Sequence, residues 1–284
     1  MNQRRAAKRS PQTRSDRNAS EESWDHVASW YDSEVAESGT DHHRNVIVPG
    51  VLRLLELEPK AKVLDMACGQ GVLSRGLSKA GAEVTGVDLS PRLIKLARQR
   101  SSSGADDQAA DDREKTVQYR VGDIRRLDFL AESSFDAIVF VLGAQNVDPI
   151  EPVFGECARL LRSGGRLVMV LNHPAFRIPR QSSWHWDEDR GQVYRAVDRY
   201  LSPLKIPIDM QPFKSPGKRV TWTYHRPIQT YVNGLSAVGL LTDGFEEWIS
   251  QRSNQPGSTS KAENRARAEF PLFLAMRAVK VVVV

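Results

Sequence analysis

Cysteine is nearly absent from this chain. Only Cys68 and Cys157 occur, far apart, so neither a disulfide framework nor the paired spacing of a structural zinc site can be drawn. No window approaches the roughly 18 consecutive apolar residues that a membrane span requires. The first residues are charged and polar, without the apolar centre of a secretory signal, so a cytoplasmic location is the expectation. The two adjacent histidines, His42 and His43, point differently on most backbones, and no metal is expected from them.

An even basic character is lacking too. The net charge of +5 sits in residues 1–20, which hold Arg4, Arg5, Lys8, Arg9, Arg14 and Arg17 against Asp16 alone. The remainder carries 34 residues of each sign. A tail this rich in Arg, Ser, Asn and Gln cannot bury enough apolar surface to fold, so residues 1–20 are predicted to be a disordered basic tail.

What the chain does have is 284 residues, 40% of them hydrophobic, and a regular alternation of strand and helix patterns. AKVLDMA, AEVTGVD, VQYRVG, FDAIVFVL and GRLVMVL read as strands apolar on both faces, which suits a parallel sheet covered by helices. Amphipathic stretches at 71–80, 91–100 and 150–162 lie between them, the second opened by an N-capping Ser90 and Pro91. The pattern predicts a doubly wound α/β sheet. Residues 101–115 are polar and aspartate-rich and read as a solvated surface insertion. Residues 172–218 are proline-rich yet carry Phe176, Trp184, Trp186, Tyr194, Tyr200 and Phe213, so they are predicted to form a packed cap rather than a free linker. Beyond them VTWTYHR, LLTDGFEEW and EFPLFLAMRAVK read as strands, with a helix at 227–239 and a polar stretch at 250–268.

The stretch VLDMACGQG, Val63 to Gly71, ends an apolar run with a carboxylate and follows it with two glycines. Glycines after a strand let backbone approach a ligand, and the next helix offers free amide donors. A dinucleotide fingerprint fails, because Ser74 stands where the third glycine or alanine belongs. Asp65 also suits a cationic ligand better than a pyrophosphate.

With VTGVDLS (84–90), VGDIRRLDF (121–129), FDAIVFVLGAQNVD (135–148) and LRSGGRLVMVLNHP (161–174), the motif resembles the ordered set of the class I S-adenosylmethionine-dependent methyltransferases, in particular the small-molecule, type 11-like group. The resemblance covers roughly residues 24–280. It implies a Rossmann-like, mostly parallel seven-stranded sheet, with one methyltransferase domain over 21–284 and the 172–218 cap inserted after the fifth strand.

The resemblance also implies site roles. Ala67, Gly69 and Gly71 would let backbone approach the methionine part of the cofactor, and Asp65 would orient its ammonium. Asp88 would accept both ribose hydroxyls, two oxygens matching a vicinal diol. Asp123 with the Ile124 backbone would mark the adenine edge, Leu89 would wall the ring, Val141 would lie beneath the methionine chain, and Tyr31 would reach its carboxylate or cap the site. The acceptor would sit over the loops after the fourth and fifth strands, near Gln145, Asn146, Asn172 and Phe176, with Trp184 and Trp222 as apolar surfaces. His173 is the first candidate base and His225 the second, since imidazole titrates near working pH.

The acceptor is expected to be a small or medium organic molecule methylated at O, C or N. The alternative is an RNA base, with the basic tail, Arg177 and Arg180 on phosphates. Asn-His-Pro-Ala-Phe at 172–176 only partly echoes the motif of base amine methylation: it has one proline, an extra residue before Phe176, and follows the fifth strand. A non-catalytic cofactor-binding scaffold is the third possibility.

Overall fold

The computed structural model describes residues 24–28, 39–103, 117–209, 220–252, 257 and 259–281. The basic tail, Tyr31, nearly all of the aspartate-rich insertion, Phe213 and the last three valines lie outside the described residues.

Eleven strands are described: β1 Lys62–Met66, β2 Glu83–Asp88, β3 Gln118–Val121, β4 Phe135–Val141, β5 Leu161–Asn172, β6 Ser182–Asp187, β7 Gln192–Val197, β8 Leu204–Asp209, β9 Val220–His225, β10 Leu240–Trp248 and β11 Phe273–Lys280. Seven form one sheet in the order β10-β11-β5-β4-β1-β2-β3. Strands β1 to β5 run parallel, while β11 inserts antiparallel between β5 and β10. The mostly parallel seven-stranded sheet is therefore the one the resemblance implies.

Alternation along β4 shows why both faces are covered. Ala137 and Val139 point one way, packing with Val51, Leu55 and Leu77 of helices α1 (Val48–Leu55) and α2 (Val72–Lys79). Ile138 and Phe140 point the other way, into a cluster with Phe154 of α4 (Glu151–Leu160) and Leu235 of α5 (Ile228–Ala237). Phe140, Phe154 and Ile138 are fully buried. Burial of each such side chain contributes about 1.5–3 kcal/mol. The remaining parallel helix, α3 (Pro91–Ser103), packs Ile94 and Ala97 on Tyr119 of β3.

The segment after β5 is not one aromatic cluster. It holds two separate antiparallel pairs, β6-β7 and β8-β9, outside the main sheet. Trp184 stands edge-on to Phe270 and carries the Arg195 guanidinium on its ring, whereas Trp222 lies in the other pair under Lys205. Trp184, Trp186 and Tyr194 stay exposed.

A sixth helix, α6 (Ser260–Glu269), occupies the stretch read as merely polar. Its only buried side chain is Ala266, so it has no apolar stripe for a periodicity to reveal. Among the described residues no helix is long and apolar enough to cross a membrane.

Candidate active site at the carboxyl edge of the sheet

Parallel strands end along one edge, where their loops can converge on a ligand. The turn after β1 is the tightest of these. Ala67 (φ 54°), Gly69 (φ 55°) and Gly71 (φ 82°) all take the left-handed conformation. Alanine adopts it at a cost of roughly 1–2 kcal/mol, glycine freely. A side chain at Gly71 would also collide with the Tyr119 hydroxyl. Gly71 opens α2 with no side-chain cap, leaving first-turn amides available.

Two buried carboxylates flank this turn. Asp88 closes β2 and binds the turn directly, its Oδ2 accepting the Gly69 N–H at 2.9 Å and its Oδ1 the Ser90 N–H at 2.9 Å. Burial raises its pKa, and those two amides pull the other way. Each oxygen still has a second lone pair to offer. Leu89, beside it, is 56% exposed although apolar, a surface that suits one side of a planar ring.

Asp65 stands one residue before the end of β1 and is buried. Burial pushes its pKa up to about 7, opposed by the Ser74 hydroxyl, which donates to Oδ2 at 2.5 Å. Ser74 therefore has a positive role at the position that breaks the dinucleotide fingerprint. In the sequence it reads only as a mismatch.

The turn after β4 joins from the other side. Leu142 (φ 51°) is held by its N–H to Val170 O at 2.8 Å, and a side chain at Gly143 would meet Ala67 at 2.9 Å. The turns after β1 and β4 thus touch, bringing half-buried Val141 and Leu142 near Ala67. The short segment Trp24–Val27 reaches the same edge: Asp25 accepts from Ser90 Oγ at 2.7 Å and from the Arg92 N–H at 3.1 Å.

Asp123 follows β3, next to Gly122, whose N–H donates to Asp88 O at 3.0 Å. The Asp123 carboxylate is chelated by Arg125, two residues on, at 2.6–3.1 Å, and this pairing holds its pKa below the usual range despite partial burial. A ligand amine would have to share it with Arg125, and the Asp-x-Arg spacing was the available warning. The Ile124 side chain is buried in the core, which leaves only its backbone for a ligand.

Beyond β5 lies a shallow cleft with about 40 Å3 of room for water, open to solvent and lined by residues including Gln145, Asn172, Arg177, Thr223, Tyr224 and His225. Asn172 and His225 thus line one cleft. Asn146, Phe176, Trp184 and Trp222 do not line it. Asn146 Nδ2 donates to Leu142 O at 3.3 Å, and Phe176 packs between His173 and Phe270.

The two candidate bases differ in what their rings touch. His173 is buried with both nitrogens engaged: Nδ1 accepts the Ala175 N–H at 3.2 Å, which leaves Nε2–H to donate to Glu247 at 2.7 Å. With no free nitrogen the ring ties the turn after β5, and the first-ranked base expectation does not fit this geometry. His225 donates Nε2–H to Tyr200 O at 2.6 Å, and among the described residues its Nδ1 has no partner. Burial lowers its pKa, keeping the ring neutral at pH 7 and able to take a proton.

Known proteins share much of this region. The family described as "Methyltransferase domain" matches residues 64–169. Over 115 residues the chain is 37% identical to a ubiquinone biosynthesis O-methyltransferase of Xanthomonas axonopodis pv. citri (strain 306), covering 40% of this chain and 44% of that one. Over 154 residues it is 34% identical to a demethylmenaquinone methyltransferase of Tropheryma whipplei (strain Twist), covering 53% and 54%. The chain spans about half the length of the curated relatives it matches. Among solved structures, an S-adenosylmethionine-dependent methyltransferase from Mesorhizobium loti superposes with a TM-score of 0.61 at 24% identity, over 86% of this chain and 100% of that one. Residues 64–169 are accordingly a methyltransferase domain, and the chain has the fold of the class I S-adenosylmethionine-dependent methyltransferases.

Proposed function

We propose that the protein transfers a methyl group from S-adenosylmethionine to an O, C or N atom of a small or medium organic acceptor. The observation that carries this reading is the pair of buried carboxylates, Asp65 and Asp88, at adjacent strand tips with a left-handed glycine turn between them. The donor set fits the cofactor. Asp65, poised near neutrality, answers an ammonium, Asp88 a vicinal diol, and exposed Leu89 an adenine ring.

Bound there, S-adenosylmethionine supplies an electrophilic methyl group on a sulfonium. The protein's part is to fix the acceptor in line and keep water away, which is worth several kcal/mol without any acid or base. The cleft at Gln145, Asn172 and His225 holds the acceptor, above the ends of β4 and β5. Where the acceptor must lose a proton, His225 Nδ1 takes it, while His173 keeps the turn after β5 in place.

The test is transfer of labelled methyl from S-adenosylmethionine into an extract of the organism's cells. Label in the small-molecule ultrafiltrate supports the reading; label confined to RNA establishes the alternative acceptor, and no transfer contradicts both. For an acceptor that loses a proton, His225→Gln should abolish the acid limb of the pH–rate profile, where wild-type turnover rises as the imidazole loses its proton, with S-adenosylhomocysteine affinity unchanged. A retained limb would remove His225 from the base role.

A further inference from the structure

One guanidinium in the cleft has no counter-charge. Arg177 sits on the turn that His173 ties, its N–H donating to His173 O at 2.8 Å, and its side chain lines the cleft. Among the described residues no carboxylate, carbonyl or hydroxyl bonds that side chain. Its charge also reaches other basic groups: burial and then Arg177 lower the pKa of Arg195, and Arg177 adds to the burial and the Arg252 charge that lower that of His42. Arg177 is an exposed residue, yet its surroundings pack closely enough on the guanidinium to lower its pKa. Arg226, Arg159 and Arg277, by contrast, are paired with Asp148, Glu156 and Asp243. A guanidinium with no counter-charge beside an open cleft leaves its donors for an anion to engage.

A second group in the same cleft is also incomplete. Gln145 donates Nε2–H to Leu142 O at 2.8 Å, which fixes the amide orientation, and its Oε1 is buried without a donor. Such an atom gains from an O–H or N–H that a ligand brings.

We propose that the methyl acceptor is an organic anion whose carboxylate or phosphate group is held by Arg177, while a hydroxyl or amine of the same molecule donates to Gln145 Oε1. The inference rests on the methyltransferase reading and narrows its substrate class. Arg177 offers a planar fork of donors that matches either oxyanion bidentately, with Arg195 adding positive potential behind it. Anionic acceptors gain a charge-assisted pair there that neutral ones lack, which favours them in the cleft.

The experiment follows the labelled product. Methyl-labelled material from the ultrafiltrate is passed over an anion exchanger at neutral pH, and retention of the label is expected. Loss of retention after phosphatase treatment identifies a phosphate, persistence a carboxylate, and either agrees with the proposal. With the purified acceptor, Arg177→Gln should raise KM about tenfold or more, the loss of a charge-assisted pair, with S-adenosylhomocysteine affinity unchanged. Arg177→Lys keeps the charge without the fork and should fall between. Its S-adenosylhomocysteine affinity shows that the site is folded. Label in an unretained, neutral small molecule overturns this inference alone, as does an unchanged KM in both variants. Absence of any transfer by the wild type fails the methyltransferase reading and this inference with it.

Discussion

Asp88→Ala should bind S-adenosylhomocysteine about a hundredfold more weakly than the wild type, a loss of about 3 kcal/mol. The carboxylate would accept two ribose hydroxyls, and hydrogen bonds to a charged group are each worth about 1.5–3 kcal/mol. It also accepts the N–H groups of Gly69 and Ser90, so its removal loosens the turn that the methionine part approaches. Isothermal titration calorimetry reads the affinity, and circular dichroism of the same sample confirms the fold. Wild-type affinity in a folded variant would mean that nothing binds Asp88.

Asp65→Asn should remove the pH dependence of cofactor binding. In the ligand-free protein Asp65 has its pKa raised from the ordinary 3.8 to about 7, first by burial and then by the nearby charge of Asp88. Below the unfolded value both states hold the proton and the group costs nothing. As pH rises from about 4 to about 7 the unfolded chain ionises while the folded one resists, so folding stability falls by up to about 4 kcal/mol and then levels off. An ammonium beside the carboxylate reverses the preference. S-adenosylhomocysteine affinity should therefore climb with pH, by up to about tenfold per unit below pH 7, and flatten above it. In the Asp65→Asn variant the side-chain amide still accepts the Ser74 hydroxyl but cannot ionise. The variant's affinity should be flat across this range and weaker than wild type at pH 8, while its unfolding midpoint at pH 8 should be higher. A wild-type profile flat from pH 5 to 8 would separate Asp65 from the ammonium.

The sheet was legible because its strands are apolar on both faces, a pattern that few other arrangements can bury. The glycine turn and its two flanking carboxylates were legible for a related reason: Asp65, Gly69, Gly71 and Asp88 stand at strand ends, where position along the sequence nearly fixes position in space. Ser74 shows where that stops. Its bond to Asp65 spans a turn of strand-to-helix geometry, and nothing in the letters distinguishes it from a failed glycine motif. The histidines show it again. Imidazole chemistry and proximity to β5 place His173 above His225, but usefulness as a base depends on which ring nitrogen is free, and Glu247, 74 residues away, decides that for His173. Helix α6 was invisible because alanine and charge carry no stripe. Arg177 suggests from the sequence only a phosphate contact for RNA, since lack of a partner is a property of the folded cleft.

Amide hydrogen exchange with and without S-adenosylhomocysteine is the most direct test of the central claim, that the turn at 67–71 and the tip of β2 together seat the cofactor. Slower exchange is expected at Gly69 to Leu73 and at Asp88 to Ser90, with the β6-β7 pair unaffected. Unchanged exchange at both turns under saturating ligand, or protection confined to the segment beyond β5, would contradict the account.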